Sequence, residues 1–194
     1  MTKRILIFIA LIATAIMVYS FTKEEKPSIE NKQEIVEKKE GDSVFLKGYT
    51  FEKPDGTMFS FEEVKGKIIL LDFWATWCGP CIRDYPNVLA LEEELNNPKF
   101  VVITVSVDKN KQKWKDFIVN KKRKGINIIL DLKDRDNPLN KMVVEKVKVR
   151  NKVFEKISVP KYYLIDKNLK KLKIKKVSSE QTKNLARTKL KELE

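Results

Sequence analysis

Residues 67–75 read KIILLDFWA, an apolar run interrupted by one acid. A strand with a solvated face alternates apolar and polar residues, so an unbroken run marks a strand buried on both faces of its sheet. Such a strand needs cover above and below, which excludes a one-layer sheet and a helical bundle alike. Two residues beyond the run begins Cys78-Gly79-Pro80-Cys81, which holds both cysteines of the 194-residue chain.

The pattern around this run alternates in type. Residues 45–61, FLKGYTFEKPDGTMFSF, read as two short strands about an Asp55-Gly56 turn. After the cysteines, Tyr85, Val88, Leu91 and Leu95 recur at helical spacing, and KFVVITVSV (99–107) is a second buried strand. Trp114, Phe117 and Ile118 give a basic helix an apolar stripe, and INIILD (126–131) returns as a short strand. Residues 137–157 fit a helix in their first half and an alternating strand in their second, with Lys146, Lys148, Arg150 and Lys152 on one face; both readings stand. KYYLID (161–166) and KLKIKKV (171–177) form an antiparallel pair with a turn near Asn168. Ser178 and Gln181 make a capping-box start for a last helix carrying Leu185, Leu190 and Leu193. The order is that of an α/β fold with a mixed central sheet and helices on both faces.

The chain has no histidine, which removes Cys2His2 metal sites, Ser-His and Cys-His hydrolases and most imidazole acid–base chemistry. Two cysteines cannot staple a framework, so stability must come from the core. No metal site is expected. The formal charge of +13 is uneven: residues 44–108 hold 6 Lys and Arg against 10 Asp and Glu, and residues 109–194 hold 27 against 10. Runs such as KKRK (121–124) and KNLKKLKIKK (167–176) carry few aromatics and match no groove-reading motif, so they read as solvated surface and no nucleic-acid partner is expected.

Lys3 and Arg4 precede an uncharged apolar run over residues 5–21, which as a helix would cover about 26 Å and come close to crossing a bilayer core. The basic lead predicts a cytoplasmic N-terminus and an exported remainder. Residues 1–21 are thus a signal anchor that attaches the chain to the inner membrane, or a cleaved signal peptide that releases it outside. Residues 22–43 are dense in charge and poor in large apolar groups, and read as a tether. Residues 44–194 make one folded domain.

A C-x-x-C at a strand-to-helix junction has a chemical consequence. Cys78 falls at the helix N-terminus, where unpaired N–H groups and the positive end of the dipole favour thiolate over thiol. Cys81, one turn deeper, can close a disulfide with it, so Cys78 attacks and Cys81 resolves. Pro80 suits the first turn, Gly79 lets another backbone come close, and Trp77 either shields the sulfurs or fills core, as Trp74 does. Pro86 falls inside the helix and predicts a kink there. Asp72, an acid in a buried strand, has its pKa raised, and either takes the Cys81 proton or pairs with a buried group.

DFWATWCGPC (72–81) resembles the thioredoxin superfamily, and within it the membrane-anchored thiol–disulfide oxidoreductases of the TlpA/ResA type. VKGKIILLDFWA (64–75), CIRDYP (81–86), ISVPKYYLID (157–166) and the N-terminal hairpin support that branch. The resemblance implies a thioredoxin fold with an N-terminal β-hairpin extension. It also implies a cis-proline at Pro160 facing the disulfide, and a backbone at Val159 that pairs with bound substrate. The branch commonly has Glu where Asp84 stands, and residues 140–157 are longer and more basic than usual. A peroxiredoxin arrangement, P-x-x-x-T-x-x-C, is not met, because one residue separates Thr76 from Cys78 and the proline is missing.

Gly-Pro between the cysteines resembles thioredoxin, at about −270 mV, more than a strong oxidant at about −120 mV. A reductant is therefore predicted, monomeric, with the Cys78–Cys81 disulfide as its redox group and no other cofactor. The resemblance implies a membrane electron donor of the CcdA or DsbD type. It implies disulfide-bearing clients such as apocytochrome c or methionine sulfoxide reductases. A reading of another class is a metal-binding or tethering protein that uses the two thiolates as ligands.

Overall fold

The computed structural model describes residue 46, residues 48–167 and residues 171–193. The expectations for residues 1–21, for the tether at 22–43 and for a turn near Asn168 lie outside the described residues. Among the described residues, no helix is long and apolar enough to cross a membrane.

A seven-stranded mixed sheet carries the domain. Its central strand, β3 (Ile68–Trp74), is buried at every position, as the unbroken apolar run requires. It pairs in parallel with β4 (Phe100–Ser106), which pairs in parallel with β5 (Ile126–Ile129). On its other side it pairs antiparallel with β8 (Lys161–Ile165), and β8 with β9 (Lys171–Ile174). The N-terminal hairpin, β1 (Thr50–Glu52) and β2 (Met58–Ser60), adds the far edge through the single pair Glu52 and Ile129. Gly56, at φ +83°, makes its turn, a conformation that costs glycine little.

Among the described residues, four helices cover the two faces. α1 (Gly79–Leu95) and α4 (Glu180–Lys191) put Val88, Leu91, Ala186 and Leu190 against Ile68, Leu70 and Leu164. α2 (Lys111–Asn120) and α3 (Pro138–Val143) put Trp114, Ile118, Leu139 and Val143 against Ile69, Leu71 and Phe73. α1 runs on through Pro86 to Leu95, so the proline sits inside the helix rather than ending it. The last helix starts one residue later than expected: Ser179, not Ser178, is the cap and accepts from the Thr182 N–H.

Residues 137–157 combine both readings. The helix α3 ends at Val143, and β6 (Val144–Val149) and β7 (Lys152–Ile157) form a separate two-stranded sheet. The chain turns at Arg150, whose φ is +52°. This turn overturns the single basic face: Lys152 lies opposite Val149, which puts it on the other face from Lys146 and Lys148.

Candidate redox site

The last turn of β3 delivers the chain into α1 through residues 75–78, and a buried acid fixes that delivery. Asp108, at the end of β4, accepts from the Thr76 N–H at 2.9 Å, from the Thr76 hydroxyl at 2.8 Å and from the Ser106 hydroxyl at 2.8 Å. The Cys78 N–H bonds to the Ala75 carbonyl at 3.0 Å, and Cys78 becomes the cap of α1.

A disulfide joins Cys78 to Cys81. The Cys78 Sγ accepts from the Cys81 N–H at 3.2 Å, a bond that an anionic sulfur would strengthen. Exposure separates the two residues little, at 4% and 2%; position on the helix separates them more. Pro80 stands in the first turn of α1, as its missing N–H allows. A Cβ placed on Gly79 would meet no more than the end of the Arg83 side chain, at 3.4 Å, so this side of the site lies open to an approaching chain. Trp77 is 57% exposed and therefore fills no core, whereas Trp74 is fully buried.

Opposite the helix end, the Val159–Pro160 peptide is cis. Pro160 and Pro80 line one groove with Arg83, Asp84, Tyr162 and Lys176. Tyr162 donates to Asp84 at 2.6 Å; burial, and then this bond, raise the tyrosine's pKa, so its hydroxyl stays a donor. On the other flank, Trp77, Val107 and Ile157 line a hollow of about 450 Å³.

Asp72 sits beneath this surface at 2% exposure. Burial pushes its pKa up to about 7, partly offset by the nearby positive Arg123 and reinforced by Asp84. Arg123 was not singled out by the sequence, and its run KKRK does not lie wholly in solvent: Arg123 is 8% exposed. Its guanidinium is held between two rings, 3.8 Å from the Trp74 centroid and 3.6 Å from that of Tyr85, with Nη2 3.6 Å from Asp72 Oδ2. Tyr85 fixes the backbone beside it, accepting from the Lys124 N–H at 2.9 Å. The turn that brings it inward closes α2: Lys122 takes φ +48°, its N–H bonds to the Val119 carbonyl and the Arg123 N–H to that of Ile118. This is a Schellman ending with lysine where glycine is usual. Asp72 thus does pair with a buried group, the Arg123 guanidinium.

A family model described as thioredoxin-like matches residues 66–171, more than half of the chain and all of β3, α1 and the cis-proline. The chain belongs to the thioredoxin-like family. It is 29% identical over 111 residues to the thioredoxin-like protein YneN of Bacillus subtilis, covering 57% of either protein. It is 28% identical over 165 residues to the thiol–disulfide oxidoreductase ResA of Bacillus thuringiensis, covering 84% of this chain and 77% of ResA. The chain spans about half the length of several curated relatives it matches, YneN among them. The crystal structure of the thioredoxin domain of a Bacteroides vulgatus thiol–disulfide oxidoreductase superposes with a TM-score of 0.58, at 20% identity, over 77% of this chain and 98% of that one. At that identity the likeness speaks for the fold, a thioredoxin fold extended by strands at its N-terminal edge.

Proposed function

We propose that this chain is a thiol–disulfide oxidoreductase that reduces disulfides in exported client proteins. The observation that carries the reading is the Cys78–Cys81 disulfide closed across the first turn of α1, with the Cys81 N–H aimed at the Cys78 sulfur.

In the reduced protein the Cys78 thiolate attacks one sulfur of a client disulfide. The client S–S bond breaks, a mixed disulfide forms, and the first client sulfur leaves as thiolate and takes a proton from water. Cys81 then gives up its proton, for which Asp72 is the acceptor, and attacks the Cys78 sulfur. The mixed disulfide breaks, the second client thiol is released, and two electrons have passed from the dithiol to the client. Val159 and Pro160 form the wall against which the client backbone lies, Trp77 and Pro80 flank it, and Gly79 leaves room for it.

A reductant outside the cytoplasm needs its disulfide reduced again, which a membrane donor of the CcdA or DsbD type would do. Residues 1–21 would place the domain at the outer side of the inner membrane, or release it there. Apocytochrome c and methionine sulfoxide reductases are the client classes this branch suggests.

The test is catalysis of insulin reduction by dithiothreitol, run beside a zinc assay of the reduced protein. Turnover several-fold above the dithiothreitol background, with the zinc freely removed by a chelator, is expected. No acceleration, with tight one-to-one zinc retention, would replace this reading with thiolate ligation of a metal.

A further inference from the structure

Among the described residues the hairpin β6–β7 pairs with no strand of the main sheet, and its surface is neither neutral nor uniformly polar. Val149, Val153 and Phe154 are 54%, 63% and 51% exposed, an unusual degree for large apolar side chains so close together. Val149 and Phe154 share one face, with Lys152 across the ladder from Val149. The acids of the hairpin are both occupied near its base: Glu145 pairs with Lys161 at 2.9 Å and Lys156 at 3.7 Å, and Glu155 with Arg135. Between residues 146 and 154 there is no acid, and among the described residues Lys146, Lys148, Arg150 and Lys152 have no carboxylate partner. The outer part of the arm is therefore a cationic surface with apolar side chains set into it.

The arm is rooted in the redox site. Its last residue, Ile157, lines the hollow that Trp77 lines beside Cys78. The next residue, Ser158, closes the base by donating to the Val143 carbonyl at 3.0 Å, and Val159–Pro160 follow at once. A chain lying across the hollow and continuing outward would run along β7. We propose that this hairpin is a client-docking arm, selecting disulfide-bearing segments that carry acidic residues around an apolar side chain.

The proposal rests on the redox reading above. An anionic bilayer would also meet the arm's charge and apolar residues, but it would lie against the same rim that the client must reach. A protein segment fits both the arm and the hollow. β7 carries Lys152 about 17 Å from Ile157 at ~3.3 Å per residue, so the selecting acids lie some five or more residues from the client cysteine.

The experiment uses the full-length reduced protein in a neutral detergent and two synthetic peptides. Each peptide has one cysteine blocked as a mixed disulfide with 2-mercaptoethanol and a Phe six residues away. They differ in whether four residues around that Phe are Glu or Lys. Each reaction consumes the protein dithiol and yields the Cys78–Cys81 disulfide, the free peptide thiol and 2-mercaptoethanol, so the second-order rate constant is read by separating the products. Charge steering of this kind is worth about tenfold or more at low ionic strength and fades within a Debye length. The Glu peptide is expected to react at least about tenfold faster than the Lys peptide in low salt, with the ratio falling towards one in about 1 M NaCl.

The variant Lys148→Glu/Arg150→Glu/Lys152→Glu should invert that ratio, and Lys148→Gln/Arg150→Gln/Lys152→Gln should bring it near one. A wild-type ratio near one overturns the proposal. So does a ratio that survives both variants, or variants that release the protein from phosphatidylglycerol vesicles while leaving the ratio alone. Failure of the wild type to reduce 2-hydroxyethyl disulfide at all would instead remove the redox reading.

Discussion

Cys81→Ser protein is expected to accumulate client polypeptides as mixed disulfides on Cys78, and Cys78→Ser protein to accumulate none. The asymmetry follows from the helix. Cys78 caps α1, so its sulfur lies where the first N–H groups converge, and the Cys81 N–H already bonds to it. Cys81 stands within the helix and is 2% exposed, which suits a sulfur that attacks a bound neighbour rather than a distant client. Serine at position 81 keeps the backbone and the capping geometry but removes the step that releases the client. Turnover should fall to the uncatalysed background in both variants, and non-reducing electrophoresis with mass spectrometry separates them. Adducts on the Cys78→Ser protein, or none on a folded Cys81→Ser protein, would reverse or remove the assigned order.

Well above pH 7, where Asp72 is ionised, Arg123→Met is expected to cost about 3 kcal/mol, because it leaves a buried carboxylate without its cation. For a domain of this size that is roughly 6–12 °C in Tm. The loss has two parts: the guanidinium leaves the gap between the Trp74 and Tyr85 rings, and Asp72 keeps its burial without compensation. The effect is also visible in pH. Asp72 titrates at 3.8 when unperturbed and near 7 in the fold, so the folded state holds its proton more tightly than the unfolded state. Stability of the oxidised protein should therefore be greatest at low pH with respect to this group, fall as pH rises from about 4 to about 7, and level off above. Without Arg123 the fall should continue above pH 7, and Asp72→Asn added to Arg123→Met should flatten it and recover part of the loss. Denaturant unfolding of oxidised protein from about pH 4 to about pH 9 checks this. A change below about 1 kcal/mol, or a pH curve unaltered by either substitution, would show that the pair is not coupled.

Much of the frame was legible because burial on both faces leaves a plain mark. The run in β3, the helical spacing behind Cys81 and the Asp55-Gly56 turn each appear where the sequence put them, and so does the cis-proline suggested by the resemblance. Arg123 was hidden by its company, since three lysines around an arginine read as solvent-facing. The available signal was indirect: a lone acid in a strand buried on both faces calls for a cation, and Arg123 is the arginine of that run. The ending of α2 was hidden for a related reason, because Lys122 adopts a left-handed conformation without being glycine. The hairpin β6–β7 was half-read. Its two-residue connection, Arg150-Asn151, lacks the glycine that marks most such turns, so the alternation seemed to continue through it and put Lys152 on the wrong face.

The most direct measurement is the pH dependence of alkylation in the fully reduced protein, with iodoacetamide in short pulses and the labelled cysteine identified by mass spectrometry. The expected result is label on Cys78, rising with a midpoint below the ~8.5 of an ordinary thiol, while Cys81 stays unlabelled until the protein is unfolded. Equal labelling of both residues, preference for Cys81, or a midpoint at or above that of a free cysteine would contradict the assignment of Cys78 as the attacking sulfur.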